Sequence, residues 1–211
     1  MSRKDQAGPA IRTRLFVEHD LAEGLDLRLE AGPSHLLRNV LRLEVGQSVG
    51  VFNGRDGEWR ADIFELPKSG ARLRLVERRR AQSGAPDVWL CFAPLKKSAI
   101  DMVATKATEL GVGRLRPVIT AQTAVTRVNV TRLQANAIEA AEQCERLDVP
   151  EVDQPVELLK LLEEWPTDRP LLVCAEAGNA EPIEAEARKL AGQPYGILVG
   201  PEGGFTSREL D

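Results

Sequence analysis

Two stretches of this chain combine residue types that bind and react. The first is Gly200-Pro201-Glu202-Gly203-Gly204, directly after the apolar run Ile197–Val199. Proline and glycine end a strand, and bare glycine backbone lets a ligand approach closely. Thr206 and Glu209 follow at capping-box spacing, which predicts a helix start. A buried strand, a glycine loop and a capped helix, in that order, describe the ligand-binding edge of an open α/β sheet. The second stretch is Lys96-Lys97, placed where a helix should begin. Cations there oppose the helix dipole by about 0.3–1 kcal/mol each. An anion held between the lysines and the free N–H groups would remove the conflict, although exposed lysines also tolerate so small a term.

Other chemistries are absent from the sequence. The glycine loop has no following Lys-Ser/Thr and no GxGxxG spacing, no serine sits in a GxSxG elbow, and His19 and His35 have no evident nucleophile partner. Cys91, Cys144 and Cys174 form no CxxC pair. They are expected to be buried free thiols of a reducing compartment, hence of a cytoplasmic protein, and no metal site is expected. No apolar run is long enough for a membrane span, and residues 1–11 read as a disordered tail without an apolar signal core.

The elements that must position the loop fall into two patterns. Strands Arg12–Val17, Leu25–Leu29, Ser48–Phe52, Trp59–Phe64 and Arg72–Val76, with glycine turns between them, predict a small β-barrel over residues 12–80. A short helix, Pro33–Leu43, should bury Leu36, Leu37, Val40 and Leu41 and project Arg38 and Arg42 together one turn apart. Residues 81–86 read as a linker. Residues 87–211 alternate strand and helix, which predicts a parallel sheet covered on both faces. Its strands are Val88–Ala93, Leu115–Ile119, Leu171–Ala175 and Ile197–Val199. Its helices are Ser98–Leu110 (Ile100, Val103, Ala107 and Leu110 inward), Thr131–Leu147 (capped by Thr131 and Gln134, with Leu133, Ala137, Ala141 and Cys144 inward), Val156–Trp165 and Pro182–Leu190. The chain ends at Asp211, so the cap at Thr206 announces a helix of which one turn is present. A helix that short is marginal alone, and the second domain is therefore expected to be C-terminally truncated.

Net charge is −4, but it is unevenly distributed. Residues 1–85 hold 15 Lys and Arg against 12 Asp and Glu, and residues 86–211 hold 13 against 20. Thirteen of the first 15 are arginine, the residue suited to phosphate forks and base stacking. Arg72 and Arg74 should face outward from the last barrel strand, and Arg78-Arg79-Arg80 continue that edge. This asymmetry is consistent with a nucleic-acid-facing first half or with an ordinary solvated surface.

Several phrases resemble one family. Ala107-Thr108-Glu109-Leu110-Gly111-Val112, Ala140-Ala141-Glu142-Gln143-Cys144-Glu145-Arg146 and Gly200-Pro201-Glu202-Gly203-Gly204-Phe205 are similar to those of the RsmE-type ribosomal RNA methyltransferases, of the SPOUT (α/β-knot) class. So are His35-Leu36 with Val40-Leu41-Arg42, and Phe52-Asn53-Gly54; together they cover nearly all of residues 12–211. The resemblance implies an N-terminal PUA-like RNA-binding barrel, a C-terminal SPOUT parallel sheet whose knot is incomplete in this chain, and a homodimer. It implies methyl transfer from S-adenosyl-L-methionine to N3 of one uridine in the decoding region of 16S rRNA, a step in small-subunit biogenesis. By resemblance the donor contacts are Glu176, Ala177, Gly178, Leu198, Gly200, Pro201, Glu202, Gly203 and Gly204. The RNA contacts, from resemblance and arginine patterning together, are His35, Arg38, Arg42, Arg72, Arg74, Lys96, Lys97 and Arg146.

Glu202 or Glu109 could accept the N3 proton, the sequence does not choose between them, and water or an RNA phosphate are further acceptors. Alternatively, Glu202 could fix the loop by a hydrogen bond, and Glu109 could serve packing at a helix end. The family continues past the loop with a helix, a strand and a Leu-Gly-x-Arg-like segment, so donor binding by the 211-residue chain is expected to be weak. Gln122 stands where an arginine is expected nearby and receives no RNA role. A non-catalytic RNA-binding module and a SPOUT enzyme acting on another RNA position are the alternatives.

Overall fold

The computed structural model describes residues 10–96, 98–125, 127–175 and 181–211. Lys97 and Glu176–Gly178, expected site residues, lie outside them. The chain divides into two units: residues up to Ser83 with Glu142–Asp148, and Gly84–Ala141 with Val149–Asp211.

In the first unit, β1 (Ile11–Phe16), β2 (Asp26–Arg28), β3 (Ser48–Phe52), β4 (Glu58–Glu65) and β5 (Arg72–Arg80) form a mixed five-stranded sheet in the order β1-β3-β4-β5-β2. Period-two alternation sets its inner face. Leu73 and Leu75 are buried, while Arg72 and Arg74 face out as expected. The buried side chains pack with Leu15, Leu27, Val49, Val51 and Ile63.

The helix expected over Pro33–Leu43 is broken. Helix α1 covers Ala31–His35, and a π-helical turn covers Leu36–Val40. The Leu41 N–H donates to the Leu36 carbonyl five residues back, and Arg42 then adopts φ 54°. The wider turn rotates the stripe: Leu37 is fully buried, but Val40 is 60% and Leu41 39% exposed. Arg38 and Arg42 are therefore not neighbours on one helix face.

Polar groups fix the sheet's far corner. Asn53 holds the β3–β4 turn, accepting from the Arg55 and Asp56 amides and donating to the His19 carbonyl and Asp56 carboxylate. Next to it, Glu58 takes Arg14 Nε at 2.6 Å and Arg80 Nη2 at 2.7 Å on one oxygen. Burial alone would raise the Glu58 carboxyl, but the hydrogen bonds from Arg80 and Arg14 outweigh it and hold the pKa below its ordinary 4.5.

In the second unit, β6 (Val88–Phe92), α2 (Ser98–Glu109), β7 (Arg114–Ile119), α3 (Val130–Gln143), β8 (Glu151–Val152), β9 (Val156–Glu157), α4 (Leu158–Glu163), β10 (Leu171–Cys174), α5 (Ile183–Lys189), β11 (Tyr195–Val199) and α6 (Ser207–Leu210) follow in order. The sheet is entirely parallel, in the order β10-β11-β6-β7-β8, with β9 also on β7. One face buries Cys91, Val118, Leu158, Leu161 and Leu198, and the other Phe92, Ala104, Ala107, Leu115 and Leu133. Gly196 of β11 lies directly under the Trp165 indole, which a Cβ would strike.

Several expectations for this unit are corrected. Helix α3 is capped by Asn129, whose side-chain oxygen accepts from the Arg132 amide, while Gln134 instead donates to the Pro150 carbonyl. It stops at Gln143, because Glu145 turns to φ 62°, which leaves Cys144 exposed. Leu110 falls beyond the end of α2 and is 83% exposed. Val156 and Glu157 form a strand on β7 before α4 begins, so the helix expected from Val156 starts at Leu158. β10 is an edge strand, so its Val173 is 45% exposed and Cys174 only half-buried. Val199, at the end of β11, is 41% exposed. Cys91 alone is fully buried, and desolvation pushes its thiol up to about 12.

A carboxyl held down by folding adds stability above its unfolded pKa and loses it as pH falls through the folded one. Glu58→Gln should lose about 1–3 kcal/mol at pH 7 and melt with a flatter decline below pH 4.5 than the parent. Parallel declines in calorimetric scans from pH 6 to 3 would assign the acid limb elsewhere. Gly196→Ala should lose about 1–3 kcal/mol in urea unfolding by overpacking against Trp165. Gly84→Ala, where a Cβ meets nothing within 4 Å, should stay within about 0.5 kcal/mol.

Candidate active site

All strands of the second unit run parallel, so their carboxyl ends share one edge. The Gly200–Gly204 loop leaves β11 there, between the ends of β10 and β6. The Ala93 amide, just past β6, donates to the Val199 carbonyl at 3.0 Å and ties the two strand ends together. Inside the loop the Gly204 amide donates to the Pro201 carbonyl at 2.8 Å, with Gly204 at φ 71°. Phe205 folds back beneath Gly200, where a Cβ would come within 2.8 Å of its ring. The loop backbone is thus clamped against an aromatic side chain that joins the core.

The capping box forms as expected and does more than cap. One Glu209 oxygen accepts from the Thr206 amide at 2.9 Å and its hydroxyl at 2.8 Å, and the other accepts from the Ala121 amide at 2.9 Å. Burial would raise this carboxyl, but those hydrogen bonds together hold it below its ordinary range. The 120–123 turn, closed by Thr123 Oγ1 on the Thr120 amide, is thereby joined to the loop. Gln122 lies so close to Gly203 that a Cβ there would meet its amide oxygen. No spacing rule connects residues 121–122 with 203–209, so this join was invisible in the sequence.

A 390 Å³ cavity opens at this edge, lined among others by Cys174, Ile183, Val199, Gly200, Gly204 and Phe205. Its walls are mostly apolar side chains and bare glycine backbone, with Glu181 also among the lining residues, which suits a flat, partly apolar ligand. Leu198 is buried in the core beneath, so only its backbone can face a ligand. Pro201 and Glu202 continue the loop, and Glu202 is exposed with no partner among the described residues. The loop-fixing carboxylate is Glu209, not Glu202.

Glu109 is displaced from the site. It ends α2, at the edge where β7 begins, which in a parallel sheet is the edge opposite the loop, and it accepts from Lys106 at 2.7 Å. Lys96 is exposed at the start of α2, on the loop's edge.

The expected RNA contacts are scattered within the first unit. His35 and Arg42 are exposed, and Arg38 donates to Asn39 Oδ1 at 3.1 Å. Arg74 grips Asp26 with bonds of 2.8 and 3.0 Å, and Arg72 reaches Glu65 at 3.4 Å, so both cations are already neutralised. Arg146 forms an ion pair with Asp148. Its side chain is 11% exposed and bonds Asp148 at 2.7 Å, while its carbonyl accepts from Arg14. Arg12 and Arg79, outside the expected set, are exposed and have no acidic partner among the described residues. Also among the described residues, no helix is long and apolar enough to cross a membrane, and no cluster of three His, Cys, Asp or Glu could hold a metal ion.

In this chain a parallel sheet with a glycine loop at its carboxyl edge follows an arginine-rich mixed sheet, and both parts match known sequence families. Residues 83–211 match an RNA methyltransferase domain, and residues 34–76 match an RNA methyltransferase PUA domain. The chain is 31% identical to ribosomal RNA small subunit methyltransferase E of Rickettsia conorii, over 94% of this chain and 81% of the relative. It is 30% identical to the protein of the same name from Synechocystis sp., over 100% of this chain and 70% of the relative.

The chain is an RNA methyltransferase, and it belongs to the ribosomal RNA small subunit methyltransferase E family. Its fold matches a ribosomal RNA small subunit methyltransferase E of Neisseria gonorrhoeae, solved bound to S-adenosyl methionine. The TM-score is 0.80 at 23% identity, covering 94% of this chain and 83% of the other. It equally matches a Legionella pneumophila protein described as a methyltransferase, solved with bound cofactor SAM, with a TM-score of 0.80 at 27% identity. That match covers 95% of this chain and 84% of the other.

Glu209→Ala should release the 120–123 turn from the loop. The amides of Ala121 and Thr206, bonded to its carboxylate, should exchange hydrogen at least about tenfold faster, equivalent to about 1.4 kcal/mol of lost protection. Unchanged exchange at both would show that the loop is held by packing on Phe205 alone.

Proposed function

We propose that this chain methylates N3 of a specific uridine in the 16S rRNA of the small ribosomal subunit, with S-adenosyl-L-methionine as donor. The observation that carries the reading is the clamped glycine loop beside an open, largely apolar cavity at the sheet's carboxyl edge. Family membership and the donor-bound relatives support it. Backbone groups of Leu198, Gly200, Pro201, Gly203 and Gly204 would hold the donor, with Ile183 and Phe205 against its apolar parts. The assignment of Glu176–Gly178 to the same task rests on the family resemblance.

The donor supplies a methyl group already activated on a sulfonium, so the protein's work is in-line placement. The N3–H bond breaks, the new N–CH₃ bond forms, and the donor leaves as a thioether. One proton must depart, and this reading assigns it to Glu202, which is exposed on the loop and has no partner among the described residues. The same reading carries a homodimer, supported by the resemblance, a cytoplasmic location, supported by the three unpaired cysteines, and domain limits of 12–80 and 87–211, supported by the pattern of strands and helices.

Purified small subunits lacking the modification, incubated with protein and donor and then digested to nucleosides, should yield 3-methyluridine by mass spectrometry. A different methylated nucleoside would move the target, and none, despite bound donor, would overturn the reading. Glu202→Gln should lower kcat about 10²-fold with little change in KM, and equal kcat values would remove Glu202 from proton transfer.

A further inference from the structure

The glycine loop reaches beyond its own strand. In the sheet, β6 lies between β11 and β7, and the loop crosses its end to the turn after β7, where Gly203 packs against Gln122. That turn is held by hydrogen bonds on both sides of Gln122. The Thr120 amide donates to Thr123 Oγ1 at 2.9 Å, the Thr120 and Thr123 hydroxyls are 2.9 Å apart, and the Ala121 amide donates to Glu209 at 2.9 Å. The backbone around Gln122 is therefore fixed, while its side chain stands exposed at the edge where the donor loop lies.

The side chain is also oriented. Gly203 does not have a positive φ, so space rather than backbone conformation favours glycine there: a Cβ would displace the Gln122 amide. The nearest Gln122 atoms to that space are Oε1, Cδ and Cβ. The amide oxygen thus faces the bare glycine, and Nε2 is left with no acceptor among the described residues. Glu202, exposed and unpartnered among the described residues, immediately precedes Gly203. One glycine of the loop is flanked by a carboxylate that accepts and an amide that donates. The edge of a base that matches this pair has an N–H next to a carbonyl, and uracil presents N3–H between two carbonyls.

We propose that Gln122 is a catalytic residue of the methyl transfer, its Nε2–H donating to a uracil carbonyl beside N3 while the N3 proton passes to Glu202. The proposal rests on the methylation reading above, which brings the uracil to this loop. When the N3–H bond breaks, its electron pair spreads from N3 onto the neighbouring carbonyl oxygens. A hydrogen bond to one of them stabilises that charge as it develops. N3 then bonds the methyl carbon, the S–C bond breaks with its pair going to sulfur, and the charge on the carbonyl disappears. A neutral amide suits the task, because a cation in its place would pair with Glu202 and weaken it as a base.

Gln122→Met and Gln122→Glu keep the length of the side chain beside Gly203 and remove the amide donor. Both are compared with the parent on unmodified small subunits at saturating S-adenosyl-L-methionine, with 3-methyluridine read by mass spectrometry. Calorimetric affinity for the methyl donor and the melting temperature are measured alongside. In Gln122→Met, kcat should fall at least about tenfold. It should fall further in Gln122→Glu, whose carboxylate opposes the developing charge. Methyl-donor affinity and melting temperature should stay at the parent's values in both. Gln193→Ala, exposed just before β11 at the opposite edge of the sheet, should match the parent in every measurement.

Parental kcat in both Gln122 variants overturns the proposal and leaves the methylation reading standing. So does a loss of kcat that comes with weaker methyl-donor binding or a lower melting temperature, because Gln122 then only braces the loop. A parent that binds the methyl donor and makes no 3-methyluridine overturns the methylation reading, and this proposal with it.

Discussion

The second unit depends on β11 being threaded between β10 and β6 in parallel register. A parallel strand cannot be reached by a tight turn, so it enters from a crossover and leaves at the edge where its neighbours also end. That constraint puts Gly200 beside the ends of β6 and β10 and aims the loop away from the core. It also explains Gly196, whose missing Cβ lets Trp165 settle on the strand. Leu198 anchors the strand below, Phe205 folds back beneath Gly200, and Glu209 joins the loop to the 120–123 turn. Chemistry at this edge needs a stiff loop, because an in-line methyl transfer tolerates little misplacement.

The first unit solves a different problem: it carries many arginines and must keep some of them free. Arg74 with Asp26, Arg72 with Glu65, Arg60 with Glu77 and Asp62, and Arg146 with Asp148 are internal pairs. The exposed pairs among them, Arg74–Asp26 and Arg72–Glu65, add little stability, but each pair removes charge from the surface available to a polyanion. Arg12, Arg28, Arg42, Arg78 and Arg79 are exposed and have no acidic partner among the described residues, and Arg12 and Arg79 lie next to the Arg14–Glu58–Arg80 cluster. That cluster is expensive to desolvate and survives because every bond of Glu58 is charge-assisted.

Local rules were legible wherever local physics decides. The strand positions, the inward Leu73 and Leu75, the glycine loop and the Thr206–Glu209 cap follow from periodicity and short-range hydrogen bonding. The failures have separate local causes. A π-turn adds a residue without any marker in the sequence, and that rotated Val40 and Leu41 into solvent and separated Arg38 from Arg42. Val156 joined a strand because β7 offered it a partner. Cys144 was exposed because α3 ended about one turn earlier than its apolar stripe suggested, and Leu110 because it falls just past the end of α2.

By itself, the sequence determined the two-part architecture, the family and the position of the glycine loop, because these rest on residue types and spacings within a few positions of one another. Only the tertiary structure decided which charges are available. Glu109 was placed on the wrong edge for the site, Glu209 rather than Glu202 became the loop's anchor, and Arg146 was consumed by Asp148. Whether a charged side chain is free depends on neighbours far away in the chain. Coulomb and hydrogen-bond partners are chosen by the folded contacts, and the sequence does not encode those contacts locally.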